Sequence, residues 1–519
     1  MNNPPKINPY CIQKGGVVIQ QTIDIKQEIK RLHQQFLQSA DFTAKEIEWG
    51  QDEQAILCFY SSLVKKSDVE MILSTIKPTS SDSSKQQNQD DGEKGKQTQS
   101  TQPTEQVAQQ LPRPKDSITI TKEPYNTQKL IDYICNGETL VILLKTKEMI
   151  RLDSPDFVHR TPEEPENESV LRGSHEGLVE NFDSNVSLIR KRIKNNKLIV
   201  KKLLLGKETK TLAYYIYVDD VVDRKALKTV EERLHAIDLD MFYSVGQLSD
   251  YLDDQVWSPF PQLINTERPD RVVANILEGK IAIMTDVSPT ALIGPVTFFS
   301  FYQSPDDFNA RVLVGTFYRI IRIFSFLIAI FLPAFYIAIV SFHFEVLPLE
   351  LANKVKSDIN QIPYRPLIEA LIMEITIELI REASVRLPKS IGQTIGIVGG
   401  LVIGESIVSA GLVSNLMVIV VAFTAISSFV VPSIEFNTSI RMLRFPFMIL
   451  ASLFGFFGIV IGTFLLVIHL LNLSSLKQPY FSPIIPFEPK EFHKIFFREP
   501  HYKAKKQVTS FSPKKDDKA

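Results

Sequence analysis

The sequence contains little cysteine and little histidine. Its 519 residues include 3 cysteines, Cys11, Cys58 and Cys135, and 8 histidines. Three cysteines cannot form a disulfide scaffold, and these three lack the spacing of a metal site. The histidines form no HExxH or HxxxH pair, which excludes the common zinc hydrolase motifs. We therefore expect neither a metal nor a cofactor.

The sequence also lacks an excess of charge of either sign. It has 58 basic and 59 acidic residues, a formal net charge of -1. Nucleic-acid binding requires an excess of Lys and Arg over the phosphate-binding surface, so we expect no nucleic-acid partner. No GxGxxG or P-loop follows a predicted strand, and no nucleophile–base or carboxylate pair stands out. The chain is therefore not expected to be an enzyme.

Long apolar runs are present in the last third of the chain. The 20 residues 323–342 contain no charged side chain. At about 1.5 Å per residue they extend over roughly 30 Å, the thickness of the hydrocarbon core of a bilayer. We predict an all-α multi-pass transmembrane domain over residues 315–475. Its predicted spans are 320–342, 391–411, 412–432 and 447–473.

The distribution of Lys and Arg predicts the orientation of these spans. Arg311, Arg319 and Arg322 precede the first span and Glu345 follows it, so the N-terminal part is expected in the cytoplasm. The first residues contain no apolar region of a signal peptide. The basic C-terminal tail, 476–519, is expected on the same side. Two cytoplasmic ends require an even number of crossings, and four spans satisfy this condition.

A charged segment over residues 364–386 complicates that count. On a helical wheel Glu374, Glu378, Arg381 and Glu382 share one face. The segment could lie on the membrane surface, turn its charged face to a water-filled pore, or pack on the soluble half. A full crossing would make the number odd, which favours partial insertion or a surface position. The four residues are candidate pore-lining or gating residues, because charged groups beside membrane spans are usually functional.

Glycine recurs every four residues in the second predicted span. Gly392, Gly396, Gly400 and Gly404 lie on one side of a helix, where they permit close approach of a neighbouring helix. That neighbour could belong to the same chain or to another subunit. Glu405 follows the stripe, and a lone carboxylate at this depth is costly unless it is paired, hydrated or protonated. It could line an ion path or form a structural hydrogen bond to another helix.

The part of the chain before the spans contains two similar patterns. Residues 55–72 and 213–230 both read as a strand, a turn and a helix. Each is preceded by a basic helix and followed by a helix, a glycine and a strand. We predict an α/β cytoplasmic region of two related subdomains, 22–160 and 178–305. The predicted disordered segments are the N-terminus, 1–21, and a linker, 77–115, whose core lacks hydrophobic residues.

A proline-rich stretch over 257–272 lies within the second predicted subdomain. It is expected to be a rigid connector before a helix that starts near Pro269. Trp257 and Phe260 in this stretch could pack an interface. Arg268 could form an ion pair with a neighbouring acidic residue.

Four segments carry the most specific signal in the sequence. They are ENFDSNVSLIRKRIKNNKL, SPFPQLINTERPD, PYRPLIEALIMEITIELIREASVRLPKSIGQTIGIVGGLVIGESIVSAGLVS and IRMLRFPFMILASLFGFFGIVIGTFLL. Together they resemble the A subunit of GerA-type spore germination receptors, over residues from about 22 to 500. The resemblance implies a membrane protein of the spore inner membrane or cell membrane. It also implies two partners: an integral-membrane B subunit similar to amino-acid transporters, and a lipoprotein C subunit.

The resemblance also implies a function in sporulating bacteria. Small nutrients trigger germination through such receptors, and release of ions is an early event. The A subunit would form a homo-oligomeric, nutrient-gated ion channel in membrane lipid, with the nutrient pocket in the B subunit. Two alternatives stay open: a non-conducting scaffold that couples the signal, and a secondary transporter. A transporter predicts inverted repeats among the spans, whereas the repeats here lie in the soluble half.

Overall fold

The computed structural model describes about three quarters of the chain, in two compact units formed by residues 1–156 and 157–519. The described residues are 25–36, 39–49, 53–64, 120–152, 165, 168, 173–388, 400, 402 and 404–498. The predicted disordered N-terminus and linker therefore lie outside the described residues. So do Gly392, Gly396 and the last part of the basic tail.

The first unit is built on a five-stranded antiparallel sheet with the strand order β1-β2-β4-β5-β3. Residues 55–60 of β2 are all buried, as expected for an apolar central strand that is covered on both faces. Its helices and strands are α1 (Ile25–Gln35), β1 (Phe42–Trp49), β2 (Glu53–Tyr60), β3 (Ile120–Pro124), α2 (Thr127–Cys135), β4 (Thr139–Leu143) and β5 (Glu148–Leu152).

The second unit begins with another five-stranded antiparallel sheet, of order β6-β7-β9-β10-β8. Counted from the first strand of each sheet, the two orders are identical. Its elements are α3 (Phe182–Arg192), β6 (Leu198–Leu205), β7 (Thr211–Val218), α4 (Arg224–His235), α5 (Val245–Leu252), β8 (Ile264–Thr266), α6 (Pro269–Leu277), β9 (Ile281–Thr285) and β10 (Ala291–Gly294).

Local sequence signals explain where these helices begin. The side chain of Asn126 caps α2, and that of Asn181 caps α3 by accepting from Ser184 N at 2.9 Å. Helix α6 begins at Pro269, as the proline-rich stretch suggests, because proline fits the first helical turn. Arg268 just before it is buried and pairs with Asp270 at 2.6 Å.

The remainder of the second unit is helical, so the predicted order of an α/β region followed by helices is confirmed. Among the described helices, α8 is the one long and apolar enough to cross a membrane by length and composition; α11 and α13 are apolar but shorter. The elements are α7 (Pro305–Asn309), α8 (Val312–Phe342), α9 (Leu349–Asn360), α10 (Pro366–Arg386), α11 (Asn415–Phe429), α12 (Ile434–Phe454), α13 (Phe456–Asn472), β11 (Ser474–Ser475), β12 (Gln478–Pro479) and α14 (Pro489–Phe496).

The predicted span 447–473 is two helices in the structure, not one. Helix α12 ends at Phe454, and Gly455 has the backbone angles φ +58° and ψ -138°. Helix α13 then folds back on α12, since Gly462 lies against the ring of Phe447. A run without charged residues indicates an apolar environment, but it does not show where a helix is interrupted. The sequence therefore suggested one span.

The charged segment 364–386 also differs from its favoured prediction. It forms α10, which packs among α8, α11 and α12 instead of lying on the soluble half or beside the bundle. Its first turn approaches Ser414 and its later turns approach α12. The hairpin of α12 and α13 adds one helix to the number that the sequence suggested.

The helix ends form two levels relative to the second sheet. At the near level Asn265 donates to Glu435 at 3.2 Å, and Gln255 donates to the carbonyl oxygen of Asn472 at 3.0 Å. At the far level the turn at Gly455 lies against His343. Helices α12 and α13 therefore run between these two levels, and α8 ends at the far one.

A buried aromatic cluster joins the second sheet to these helices. The ring of Phe301 stacks on Phe436 of α12, with centroids 5.2 Å apart. Phe298 packs edge-on against Phe326 of α8, and Phe260 lies 5.8 Å from Phe436. The interface expected at Phe260 is thus internal to the chain, and one hydrophobic core continues from the sheet into the helices.

Candidate functional site

The charged residues predicted on one face of α10 lie in three different environments. The side chain of Glu374 is 1% exposed, that of Glu378 is 31% exposed and that of Glu382 is 64% exposed. The helix therefore does not turn these carboxylates together toward one water-filled path. Glu374 in particular is enclosed by the helices of its own chain, and its role as a pore-lining or gating residue stays a prediction.

Glu374 forms a buried ion pair with Arg444 of α12. Both side chains are 1% exposed, and Arg444 Nη1 donates to Glu374 Oε2. Arg444 Nε also donates to the carbonyl oxygen of Ala329 in α8, at 3.1 Å. Glu374 Oε1 and Arg444 Nη2 have no hydrogen-bond partner among the described residues. This pair links three helices through one guanidinium group.

Glu378 bridges α10 to α12 one turn further along. Its Oε2 accepts from Arg441 Nη1 at 2.6 Å, and its Oε1 accepts from Arg381 Nη1 at 3.3 Å. The guanidinium carbon of Arg381 lies 4.7 Å from the ring centroid of Phe429, a cation–π contact. Glu378 is thus held between two cations, and its charge is largely compensated.

Arginines outnumber the three carboxylates that were predicted on one face of α10. On α10 and α12, three glutamates of the predicted set face four arginines. Sequence reasoning missed Arg441 and Arg444. Their spacing of three residues, at the head of an otherwise apolar run, is the signal that could have identified them. The groups are Glu374, Glu378 and Glu382, with Arg381, Arg386, Arg441 and Arg444.

A second buried carboxylate, Glu369, holds the start of α11. Its Oε1 accepts from both the backbone nitrogen and the hydroxyl of Ser414, each at 2.5 Å. The hydroxyl of Ser414 also shares a hydrogen bond with Tyr336 of α8, at 3.0 Å. Sequence reasoning did not select Glu369. It ties the first turn of α10 to α8 and α11.

The glycine stripe has no neighbour in the part of the chain that is described. A β-carbon added at Gly400 or Gly404 would meet no atom within 4 Å. Glu405, on the helical residues 404–409, is exposed, and so is Val402 beside it. Gly400, Gly404 and Glu405 therefore have open space around them among the described residues, and the packing role of the stripe stays a prediction.

A cavity of about 390 Å³ lies at the far level, between α8, α9 and α10. Phe342, Ile359 and Leu367 give it apolar walls, and Lys356 and Arg365 are exposed at its edge. Two cations beside an apolar wall suit a small amphipathic anion. This cavity could not be predicted from the sequence, because its apolar walls come from three separate helices.

An aspartate at the near level is unusually protonated for its type. Asp253 ends α5, and its Oδ1 has no hydrogen-bond partner among the described residues. Burial, followed by the negative charges of Glu435, Asp250 and Asp254, raises the pKa of this carboxyl to about 7, while Arg233 acts in the opposite direction. The charge of this junction between sheet and helices therefore changes near neutral pH.

Comparisons with known proteins place this arrangement among bacterial spore proteins. The model of one family, described as Bacillus/Clostridium GerA spore germination protein, matches residues 30–510. The chain is 44% identical over 353 residues to the uncharacterized membrane protein YfkQ of Bacillus subtilis, covering 68% of this chain and 69% of that one. It is 39% identical over 371 residues to spore germination protein GerLA of Bacillus cereus, covering 72% and 75%.

One further relative and one solved structure are also similar to the chain. The chain is 38% identical over 390 residues to spore germination protein A1 of Bacillus subtilis, covering 75% of this chain and 81% of that one. A solved structure, the N-terminal domain of the A subunit of the Bacillus megaterium spore germinant receptor GerK3, aligns with 53% of this chain and 95% of its own. Its identity is 21% and its TM-score is 0.36.

Proposed function

Since the chain belongs to the GerA family of spore germination proteins, we propose that it is the A subunit of a nutrient germinant receptor and forms an ion channel with further copies of itself. The proposal places it in the spore inner membrane or cell membrane and assigns it no enzymatic step. One relative is named as a membrane protein and another as a spore germination protein. These names support the membrane location and the role in germination.

The proposed topology has six crossings. Helices α8, α10, α11, α12 and α13 supply five, and the span predicted from the sequence over residues 391–411 is counted as the sixth. Support comes from the two levels of helix ends and from the contacts of α10 with α11 and α12. Six is even, so both termini stay in the cytoplasm.

The single observation that carries the channel proposal is the exposed face of Gly400, Gly404 and Glu405. An isolated carboxylate facing lipid costs several kcal/mol, so this face requires water or a partner. Glycines four residues apart let another helix approach closely. Several copies packed through the glycines would place their Glu405 side chains around a shared aqueous path, as carboxylate rings do in cation channels.

The ion pairs of α10 are proposed to hold the closed arrangement. Glu374 and Glu378 connect α10 to α12, and Arg444 also reaches α8. A helix fixed by a few strong contacts has discrete positions, and a ligand need favour one of them by only a few kcal/mol to shift the population. The B subunit, as the proposed nutrient-binding partner, and the lipoprotein C subunit would supply that bias.

The test is ion flux through the purified receptor in liposomes, with all three subunits present and nutrient added outside. We expect nutrient-dependent cation flux that Glu405→Gln reduces strongly. The matched control is Glu382→Gln, which removes an exposed carboxylate already paired with Arg386 and should retain most of the flux. Equal flux in both variants would reject the role of Glu405.

Two other outcomes identify the alternatives. A receptor that binds nutrient but passes no ions under any activating condition is a scaffold, and the channel proposal is then wrong. Accumulation of nutrient inside the liposomes against its own gradient, driven by an ion gradient, would instead identify a secondary transporter.

A further inference from the structure

The loop of residues 255–258 carries the most exposed large apolar side chain in the described chain. Trp257 is 99% exposed, and Val256 beside it is 53% exposed. The loop itself is well held: the side chain of Gln262 accepts from the backbone nitrogens of Asp254 and Gln255 at 2.7 and 3.0 Å, and donates back to the carbonyl of Gln255 at 2.7 Å. An indole is thus presented outward by an ordered loop.

The same loop is fixed to the last turn of α13. Gln255 Nε2 donates to the carbonyl oxygen of Asn472 at 3.0 Å, and Ser258 Oγ is hydrogen-bonded to His469 Nε2 at 2.9 Å. Phe260, just after the loop, stacks on the ring of His469. Trp257 is therefore positioned at the end of one particular helix.

That helix has an apolar outer surface that reaches the loop. Ile468 and Leu471 in its last turn are 39% and 40% exposed. Further from the loop, exposed apolar residues continue along α13 as Phe457, Val460, Phe464 and Leu465. The exposed indole lies beyond the last turn of this helix, on the side of the α/β subdomain.

We propose that Trp257, with Val256, inserts into the headgroup region of the bilayer that α13 crosses, and so anchors the second α/β subdomain on the membrane surface. This inference rests on the membrane topology under the proposed function. Tryptophan suits this place because its ring is apolar while its N–H needs a polar partner, and it is enriched where membrane meets water. Exposed Lys477, whose backbone nitrogen donates to Asp254, adds a cation near lipid phosphates.

The anchor gives the junction a mechanical role. The loop is bonded to α13 on one side, and Pro259 beside it accepts from Ser439 of α12 on the other. A subdomain held at the bilayer surface at this point cannot rock freely against α12 and α13. Movements of the subdomain are then passed to these two helices.

Tryptophan fluorescence tests the anchor directly, because the chain contains only two tryptophans, Trp49 and Trp257. The full chain carrying Trp49→Phe is reconstituted in phosphatidylcholine liposomes. The acyl chains are brominated either near the headgroup or near the terminal methyl group. We expect Trp257 emission to be quenched several-fold more by the shallow bromines than by the deep ones, and to be protected from aqueous iodide.

Two reference proteins calibrate this measurement, both in a Trp49→Phe, Trp257→Phe background. Phe464→Trp, at an exposed position in the middle of α13, should be quenched by deep bromines. Leu204→Trp should be quenched by iodide alone, since Leu204 is 65% exposed on β6, the sheet edge opposite β8.

The outcomes separate the anchor from the proposed function. If the Phe464→Trp protein is quenched by bromolipid while Trp257 behaves like the Leu204→Trp protein, the anchor is wrong and the membrane topology stands. Trp257 protected from both quenchers would mean a protein cover and also reject the anchor. A Phe464→Trp protein without bromolipid quenching would reject the topology, and the anchor with it.

Discussion

Individual charged residues are the most informative features at the smallest scale. Glu374 and Arg444 are both almost fully buried, and each has one polar atom without a hydrogen-bond partner among the described residues. Removing two charges from water costs several kcal/mol per ion, and their mutual attraction compensates only in part. Such a pair contributes little net stability, but loss of one member leaves an uncompensated buried charge.

This asymmetry predicts the effect of substitutions at the pair. Arg444→Met should lower the free energy of unfolding by about 3–5 kcal/mol, whereas Glu374→Leu combined with Arg444→Met should recover most of that loss. SDS titration of the purified protein in mixed micelles measures these differences. The control, Arg386→Met, breaks an exposed pair and should cost less than about 1 kcal/mol. Similar losses for Arg444→Met and Arg386→Met would contradict the buried pair.

Asp253 predicts a dependence of stability on pH. Burial raises its pKa from 3.8 to about 7. Between these values the folded chain binds more protons than the unfolded chain, so stability falls as the pH rises from about 4 to about 7. At about 1.4 kcal/mol for each pH unit, the loss is on the order of 4 kcal/mol.

Thermal unfolding from pH 5 to pH 8 measures this effect. The wild-type Tm should fall over this interval, and Asp253→Asn should flatten the fall and give a higher Tm than the wild type at pH 8. Asp238→Asn is the control, because Asp238 is exposed and is not among the charges that act on the pKa of Asp253. An unchanged slope in the Asp253→Asn protein would show that other groups cause the pH dependence.

At the scale of helices, glycines do two different things. In α13, Gly458 and Gly462 let α12 approach within contact distance, and a β-carbon at Gly462 would lie 2.7 Å from the ring of Phe447. The stripe predicted from the sequence lies earlier in the chain. There a β-carbon at Gly400 or Gly404 would meet no described atom within 4 Å. Both have four-residue spacing, so spacing indicates close helix packing without naming the partner.

Leucine substitutions separate these two kinds of glycine. Gly462→Leu should destabilise the chain by about 1–3 kcal/mol, because the added side chain overlaps the ring of Phe447, which must move to make room. Gly400→Leu should leave the unfolding of the chain unchanged and reduce the oligomer seen by native electrophoresis. A normal oligomer with Gly400→Leu would reject assembly through this stripe.

Which elements could be predicted depends on how local their signals are. Helix α8 contains the predicted span 320–342, and α11 lies within 412–432, because uninterrupted apolar residues are a signal of their own. The break at Gly455 could not be predicted, since glycines also occur inside α13. The partners of Glu374 and Glu369 could not be predicted either, because Arg444 and Ser414 are 70 and 45 residues away.

For the whole molecule, the number of crossings is the property on which the remaining features depend. Four spans and six passes are both even, so the distribution of Lys and Arg fits either count. They differ in α10. With four spans it lies on one surface and both its ends face the same side, whereas with six it carries the chain from the far level to the near one.

Single cysteines distinguish the two topologies. In a chain with Cys11, Cys58 and Cys135 replaced by serine, Glu345→Cys marks the end of α8 and Pro388→Cys marks the end of α10. Intact cells expressing each protein are treated with a maleimide that does not cross membranes. Six crossings predict labelling at Glu345→Cys alone, with labelling at Pro388→Cys only after the membrane is permeabilised.

The orientation of the chain provides the control for this measurement. Lys477→Cys follows α13, and it should resist labelling in intact cells under both topologies because the basic tail is cytoplasmic. If Pro388→Cys is labelled from outside as readily as Glu345→Cys while Lys477→Cys stays protected, α10 does not cross. The packing of α10 against α12, and with it the ion pairs to Arg441 and Arg444, would then be wrong.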